Sequence, residues 1–216
     1  IKDKATIIGI TGSNGKTTTT TMIYEIMKKA NLNVHLAGNI GYPLSSIVNK
    51  VKKNDIIVAE ISDHQLLDTN KFKTNISVLT NISPVHIDFH GTYENYKNTK
   101  KKIFNHHTSD DLAILNLNNK DVLDITKDIK SKKIYFSNNT KTDIYLDNNT
   151  IYYKNEPILN INDIKVKGIH NYENIMCMLG VVKEFNVSNN IIIEYLKEFK
   201  GVEHRIEFVR NINNIT

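Results

Sequence analysis

Ile7-Ile8-Gly9-Ile10-Thr11-Gly12-Ser13-Asn14-Gly15-Lys16-Thr17-Thr18 is the stretch on which the fold of this chain turns. A β-branched apolar run ends in a glycine-rich turn, and a Lys-Thr pair then opens a helix-like segment. Such a turn directs backbone N–H groups and a helix N-terminus at phosphate oxygens. Lys16 adds a point charge, and the Thr17 hydroxyl suits Mg²⁺. Gly12, Ser13, Asn14, Gly15, Lys16, Thr17 and Thr18 are therefore candidate nucleoside-triphosphate contacts. The strict P-loop spacing would place a glycine where Ile10 stands, so only the Gly12-x-x-Gly15-Lys16-Thr17 half of that pattern is present.

Working outward, Ala5–Ile10 reads as a buried strand and Lys16–Ala30 as a helix, with Met22, Ile23, Ile26 and Met27 at helical spacing. Asn33–Leu36, Asp55–Ile61, Asn75–Ile82 and Leu112–Leu117 read as further strands. Leu44–Val51 and Tyr93–Phe104 read as helices between them. Strands alternating with helices imply a P-loop-type, doubly wound, mostly parallel α/β sheet. The phosphate loop, Glu60 and the segment 81–90 all follow strands, so they converge beyond the carboxyl ends of the sheet. Residues 132–164 differ: short β-prone runs at Ile134–Phe136, Ile144–Leu146, Ile151–Tyr153 and Ile158–Ile161 alternate with Asn/Asp/Thr turns. They predict a small antiparallel β appendage. Tyr172–Phe185 and Asn190–Phe199 read as two closing helices.

Composition narrows the classes. The chain has 216 residues, 40% of them hydrophobic, enough for a substantial core. No apolar run approaches the ~18 residues of a membrane span, so no membrane partner is expected. The lone cysteine, Cys177, lies in an apolar run and suits a buried thiol in a reducing compartment. A net charge of +5 fits anionic ligands, but the lysines are spread rather than clustered with aromatics, so no nucleic-acid groove is expected. The Asn-Lys-x-Asp base-reading pattern of GTPases is absent, since Asn118-Asn119-Lys120-Asp121 lacks the intervening residue.

Several segments combine into one resemblance: Thr11–Thr18, Ala37-Gly38-Asn39-Ile40-Gly41-Tyr42-Pro43, Val58-Ala59-Glu60-Ile61-Ser62, Thr80–Gly91, Glu94-Asn95-Tyr96-x-x-x-Lys100, Gly168-Ile169-His170-Asn171-x-x-Asn174 and Gly201-Val202-Glu203-His204-Arg205. In this order they resemble the Mur ligase family, ATP-dependent enzymes that append amino acids to the peptidoglycan precursor. The Ala-Gly-Asn-Ile-Gly-x-Pro and Gly-x-Glu-His-Arg phrases are most similar to the D-glutamate-adding branch. His64 and His90-Gly91-Thr92-x-Glu94 are similar to the branch that adds the third-position diamino acid. The alternatives are another Mur or folylpolyglutamate-type ligase, or a nucleotide-binding module without ligation.

The resemblance implies ATP, two Mg²⁺ ions, and UDP-N-acetylmuramoyl-L-alanine and D-glutamate as small-molecule substrates, in a bacterial cytoplasmic monomer. It assigns catalytic roles to Lys16, Asn39, His86 and Lys100. It implies metal ligation by Thr17, Glu60, His86 and a carbamylated Lys100, and nucleotide contacts from Asn171, Asn174 and Arg205. Each residue has a plainer role too. Lys100 opens a lysine run of the kind that usually forms a solvated helix face. Asn39 suits turn geometry, and Asn171 suits a helix cap.

Two departures stand out. Asp63-His64 occupy the place of a family Ser-Phe pair, and Val85 the place of an Asp; neither is expected to touch a residue assigned to metal or phosphate. In extent, residues 1–200 correspond to the family's central ATP-binding domain and 201–216 to the first strand of a truncated C-terminal ligase domain. The N-terminal UDP-binding domain has no counterpart. Nucleotide binding without completed ligation is the expectation for the chain alone.

Overall fold

The computed structural model describes residues 4–202. Strand β1 (Thr6–Thr11) leads through the glycine turn into helix α1 (Lys16–Lys29). Then follow β2 (Val34–Gly38), α2 (Leu44–Ile47), β3 (Ile56–Glu60), α3 (Asp63–Leu67), β4 (Ile76–Leu79), α4 (Ile87–His90) and α5 (Tyr93–Lys101). A 3₁₀ turn, Lys102–Phe104, extends α5. The chain continues through β5 (Leu112–Asn116), α6 (Lys120–Ile125), β6 (Lys132–Ser137), β7 (Ile144–Asp147), β8 (Thr150–Tyr153) and β9 (Glu156–Asn160), and closes with α7 (Ile169–Val182) and α8 (Asn189–Glu198).

Among the described residues these strands form one nine-stranded sheet in the order β2-β3-β1-β4-β5-β6-β7-β8-β9. Neighbours pair parallel from β2 to β7, and β7-β8-β9 pair antiparallel. The central strands are apolar on both faces because both are covered. From β1, Ile8 and Ile10 join the core with α1 (Met22, Ile23, Ile26, Met27) and α7. Ile7 joins the opposite core, where Tyr96, Ile103 and Phe104 pack. Sheet order reverses around β1, which lies between β3 and β4. That reversal opens a crevice at the carboxyl ends of these strands, where ligands of such sheets sit.

The 132–164 segment differs in one respect from the sequence expectation. Its first run is not part of an antiparallel appendage. It forms β6, paired parallel to β5 from Leu112↔Lys132 to Asn116↔Phe136. Helix α6 supplies the crossover that parallel pairing requires. Its six residues bury only Val122 and Ile125, too weak a period to be read from sequence. Only β7 to β9 are antiparallel, and they extend the main sheet rather than standing apart. The helix expected over Leu44–Val51 ends at Ile47. Helices α3 and α4 were also not anticipated, being five and four residues long.

Candidate functional site

The glycine turn sits where the sequence placed it, between β1 and α1. Gly15 precedes α1 with φ 81°, and a Cβ there would collide with Asn174 Oδ1. Only glycine combines that left-handed backbone with that close approach. The first helical bond runs from Thr19 N–H to Gly15 O (3.0 Å), so the N–H groups of Thr17 and Thr18 precede the ladder. No side chain caps this end of α1, and its first turn holds no acidic residue. The helix dipole thus faces an uncovered, anion-favouring end.

The loop is braced from β4's side. Asn81 accepts from Ser13 N–H through its carbonyl (2.9 Å) and from Asn14 N–H through Oδ1 (3.0 Å). Thr80 Oγ1 donates to Asn14 O (2.6 Å). The Ser13 hydroxyl lies against Tyr96 OH (2.7 Å) and accepts from Ser83 N–H (2.8 Å), so its side chain anchors the loop. Burial pushes the Tyr96 phenol up to about 12, against the lowering effect of Ser13, so it remains a neutral brace. Lys16 Nζ donates to Gly12 O (2.9 Å) and Ser13 O (3.1 Å), arched over the same loop.

Two buried atoms near the loop stand without partners. Thr17 Oγ1 and Glu60 Oε2 have no hydrogen-bond partner among the described residues; Thr20 Oγ1, elsewhere on α1, is the third such atom. Glu60 closes β3 at 1% exposure, beside Ile10 of β1. Asn39 donates to Glu60 Oε1 (2.9 Å), which turns the other oxygen loose. The left-handed positions of that turn are Gly38 and Gly41, so Asn39 is not there for backbone geometry. A buried carboxylate oxygen and a buried hydroxyl without partners are costly unless a ligand satisfies them. Two hard oxygens beside a phosphate loop fit Mg²⁺, which fills its remaining positions with water and phosphate oxygens.

A second polar corner adjoins the first. Lys100 is 0% exposed, whereas Lys101 and Lys102 are half-buried, so the solvated-face reading does not hold for it. Its ammonium donates to Gly12 O (3.1 Å), Thr11 Oγ1 (3.3 Å) and Asp63 Oδ1 (3.3 Å). Burial pushes Lys100 down to about 8; the Lys16 charge adds to the fall, while Asp63 and Glu60 oppose it. Asp63, 2% exposed, also receives His90 Nε2 (2.8 Å) and His86 Nδ1 (3.1 Å) on Oδ2. Because a carboxylate only accepts, both imidazole nitrogens must carry protons. Burial would raise the Asp63 carboxyl, but the His90 bond, the Lys100 charge and the His86 bond together hold it well below the usual range.

Here the sequence reading needs correction: the Asp63 substitution does touch assigned residues, namely Lys100 and His86. His86 itself is half exposed and holds φ 54°, an uncommon backbone for a non-glycine residue that often marks a functional position. His64 Nδ1 lies 3.5 Å from Asp63 Oδ2. Asp63, His64 and His86 offer ligand atoms within 4.8 Å of one another.

On the other side of the loop, a cavity of about 610 Å³ opens between Asn14, Gly15 and Thr18 and the start of α7. That size suits a nucleoside. Asn171 and Asn174 both line it, with His170 and Glu173. Asn174 is buried and accepts from Thr19 Oγ1 (3.4 Å). Asn171 is not the cap: Gly168 is the N-cap, and Asn171 Nδ2 donates back to Lys167 O (2.8 Å). Glu203, His204 and Arg205 lie outside the described residues. Sequence reasoning missed Asp63 as the partner of Lys100, and His90 as a second imidazole on that carboxylate. The signal was present: His86 and His90 at helical spacing, and an acid in a family serine position.

By fold, this is a P-loop-type doubly wound α/β domain with its crevice at the β1 switch point. Residues 10–191 match the Mur ligase middle domain, and the chain belongs to the Mur ligase family. It is 41% identical over 209 residues to a UDP-N-acetylmuramoylalanine–D-glutamate ligase from Bacillus pumilus, covering 96% of this chain and 46% of that protein. A protein of the same name from Streptococcus equi subsp. zooepidemicus is 39% identical over 214 residues, covering 99% of this chain and 47% of its own length. The chain thus spans about half the length of the curated relatives it matches. Among solved structures, a UDP-N-acetylmuramoyl-L-alanyl-D-glutamate–2,6-diaminopimelate ligase superposes with a TM-score of 0.80 at 19% identity, over 97% of this chain and 49% of that one. MurF from Acinetobacter baumannii gives 0.79 at 18% identity, over 97% and 49%. At such identities the likeness speaks for the fold alone. No described helix is long and apolar enough to cross a membrane.

Proposed function

We propose that this chain is the ATP-handling portion, residues 1–200, of a ligase that joins D-glutamate to UDP-N-acetylmuramoyl-L-alanine through an acyl phosphate. Residues 201–216 begin a further domain in this reading. The observation that carries it is the pair of partnerless buried oxygens, Thr17 Oγ1 and Glu60 Oε2, beside the uncovered N-terminus of α1. The choice of D-glutamate is supported by the two relatives of that name, matched over nearly all of this chain.

The chemistry follows from charge. A carboxylate of the muramoyl-L-alanine substrate attacks the γ-phosphorus and ADP leaves. The amine of D-glutamate then attacks the acyl carbon, phosphate is expelled and an amide forms. Bringing two anions together calls for charge neutralisation and in-line positioning. Lys16 and the α1 amides hold the β- and γ-phosphates. Thr17 and Glu60 would hold Mg²⁺, which neutralises phosphate oxygens when bound. Asn39 orients Glu60. Asn171, Asn174 and Thr18 line the nucleoside cavity. The resemblance adds a second Mg²⁺ beside His86, supported by the imidazole held at Asp63. It also adds a carbamate on Lys100, which the Asp63–Lys100 ion pair opposes.

Calorimetric titration with a non-hydrolysable ATP analogue tests the reading. Binding should require Mg²⁺ and weaken about a hundredfold in Lys16→Ala, the scale of losing one charged donor to phosphate. Binding unaffected by Lys16→Ala would sink it. For the substrate, phosphate release should require D-glutamate; release with a diamino acid instead would move the reading to the rival branch.

A further inference from the structure

Among the described residues, Asp63 is the buried carboxylate on which Lys100, His86 and His90 all converge. Its two oxygens divide the work: Oδ1 faces the ammonium, and Oδ2 faces the imidazoles. An ammonium has three N–H donors, and the Lys100 ammonium has three acceptors in reach, Asp63 Oδ1, Thr11 Oγ1 and Gly12 O. The Tyr96 ring closes a further side, its centroid 5.4 Å from Nζ. The group is enclosed and satisfied as it stands.

We infer that Asp63 keeps Lys100 an unmodified ammonium, and that the Asp63 carboxylate serves as the buried anion of this corner in place of a lysine carbamate. The inference deepens the reading above and rests on it for the identity of the site. Carbamate formation joins the neutral amine nitrogen to the carbon of CO₂ and releases a proton. The product nitrogen keeps one N–H, so two of the three present hydrogen bonds would lose their donor. The product also carries a negative charge, which would be built against Asp63, 3.3 Å from the nitrogen. Two adjacent carboxylates in a buried site repel strongly. A serine in place of Asp63 would remove the charge repulsion and leave two acceptors, Gly12 O and Thr11 Oγ1, for the one remaining N–H.

The same carboxylate acts as a positioning residue for His86. Accepting the hydrogen bond from Nδ1–H leaves Nε2 as the nitrogen available to a cation. An acid behind an imidazole is the usual way a metal-facing histidine is oriented. The buried anion is thus already supplied by the chain, without a modification that depends on CO₂.

The test is ¹³C NMR of the protein equilibrated with ¹³C-bicarbonate, Mg²⁺ and an ATP analogue. The wild type should show no carbamate resonance. Asp63→Ser should show one, and Asp63→Ser combined with Lys100→Arg should lose it. A carbamate resonance in the wild type that disappears in Lys100→Arg overturns the inference. So does a folded Asp63→Ser protein with no resonance, because Asp63 is then not what keeps the lysine free. If Asp63→Ser fails to fold by circular dichroism, Asp63→Asn, which keeps the shape and removes the charge, is read in the same way. Analogue binding measured on the wild-type sample reports separately on the nucleotide site, so failure there is distinguishable from failure here.

Discussion

Two polar corners meet at the phosphate loop, and they are built on opposite terms. At the Thr17–Glu60 corner, buried oxygens are left without partners. At the Asp63–Lys100 corner, every charge is answered: one carboxylate receives a lysine and two histidines, and the lysine reaches three acceptors. The first corner leaves polar atoms unsatisfied by the chain itself. The second is satisfied by the chain's own groups. Burial is nearly equal, with Glu60 at 1% and Asp63 at 2% exposure, so the difference lies in hydrogen bonding rather than depth.

The comparison breaks most visibly at Asp63. Asp63→Ala leaves the Lys100 charge buried and unpaired, a change that costs about 3–5 kcal/mol in such settings. Urea denaturation should show that loss; a change under about 1 kcal/mol would mean the corner is not saturated as described. The opposite corner should respond in the opposite sense. Glu60→Gln removes a buried charge whose oxygen lacks a partner, so stability without ligand should stay level or rise by about 1 kcal/mol. Mg²⁺ dependence of analogue binding should disappear in the same variant, as read by calorimetry.

A third buried polar group, remote from both corners, sharpens the contrast. His107 lies among Thr74, Ser77 and Ser131, and burial pushes it down to about 4 from the usual 6.5. The folded state therefore holds it neutral where the unfolded chain takes up a proton. Its contribution is complete above about 6.5 and is lost as pH falls towards about 4. Denaturation midpoints measured across that window should fall with pH, and His107→Gln should flatten the fall. The smallest effect is expected at the cavity wall. Asn171→Ala should weaken analogue binding several-fold, roughly 1 kcal/mol, with melting temperature unchanged.

Much of this was legible in the chain. The strand–glycine turn–helix run, the apolar strands buried on both faces and the Asn171/Asn174 spacing each report local geometry that neighbouring residues impose. Lys100 was legible only through its register to Glu94-Asn95-Tyr96; nothing in Lys100-Lys101-Lys102 separates a buried lysine from a solvated one. The β6 pairing was missed because strand propensity does not say which neighbour a strand will join.

The sequence by itself determined the strand–glycine turn–helix unit, the doubly wound sheet and the family, because these rest on residue type at fixed spacing along the chain. Only the tertiary structure decided that Asp63, 37 residues from Lys100 and 23 from His86, is the carboxylate that both of them reach. Such pairing depends on which groups burial brings together away from water, and spacing along the chain does not encode it.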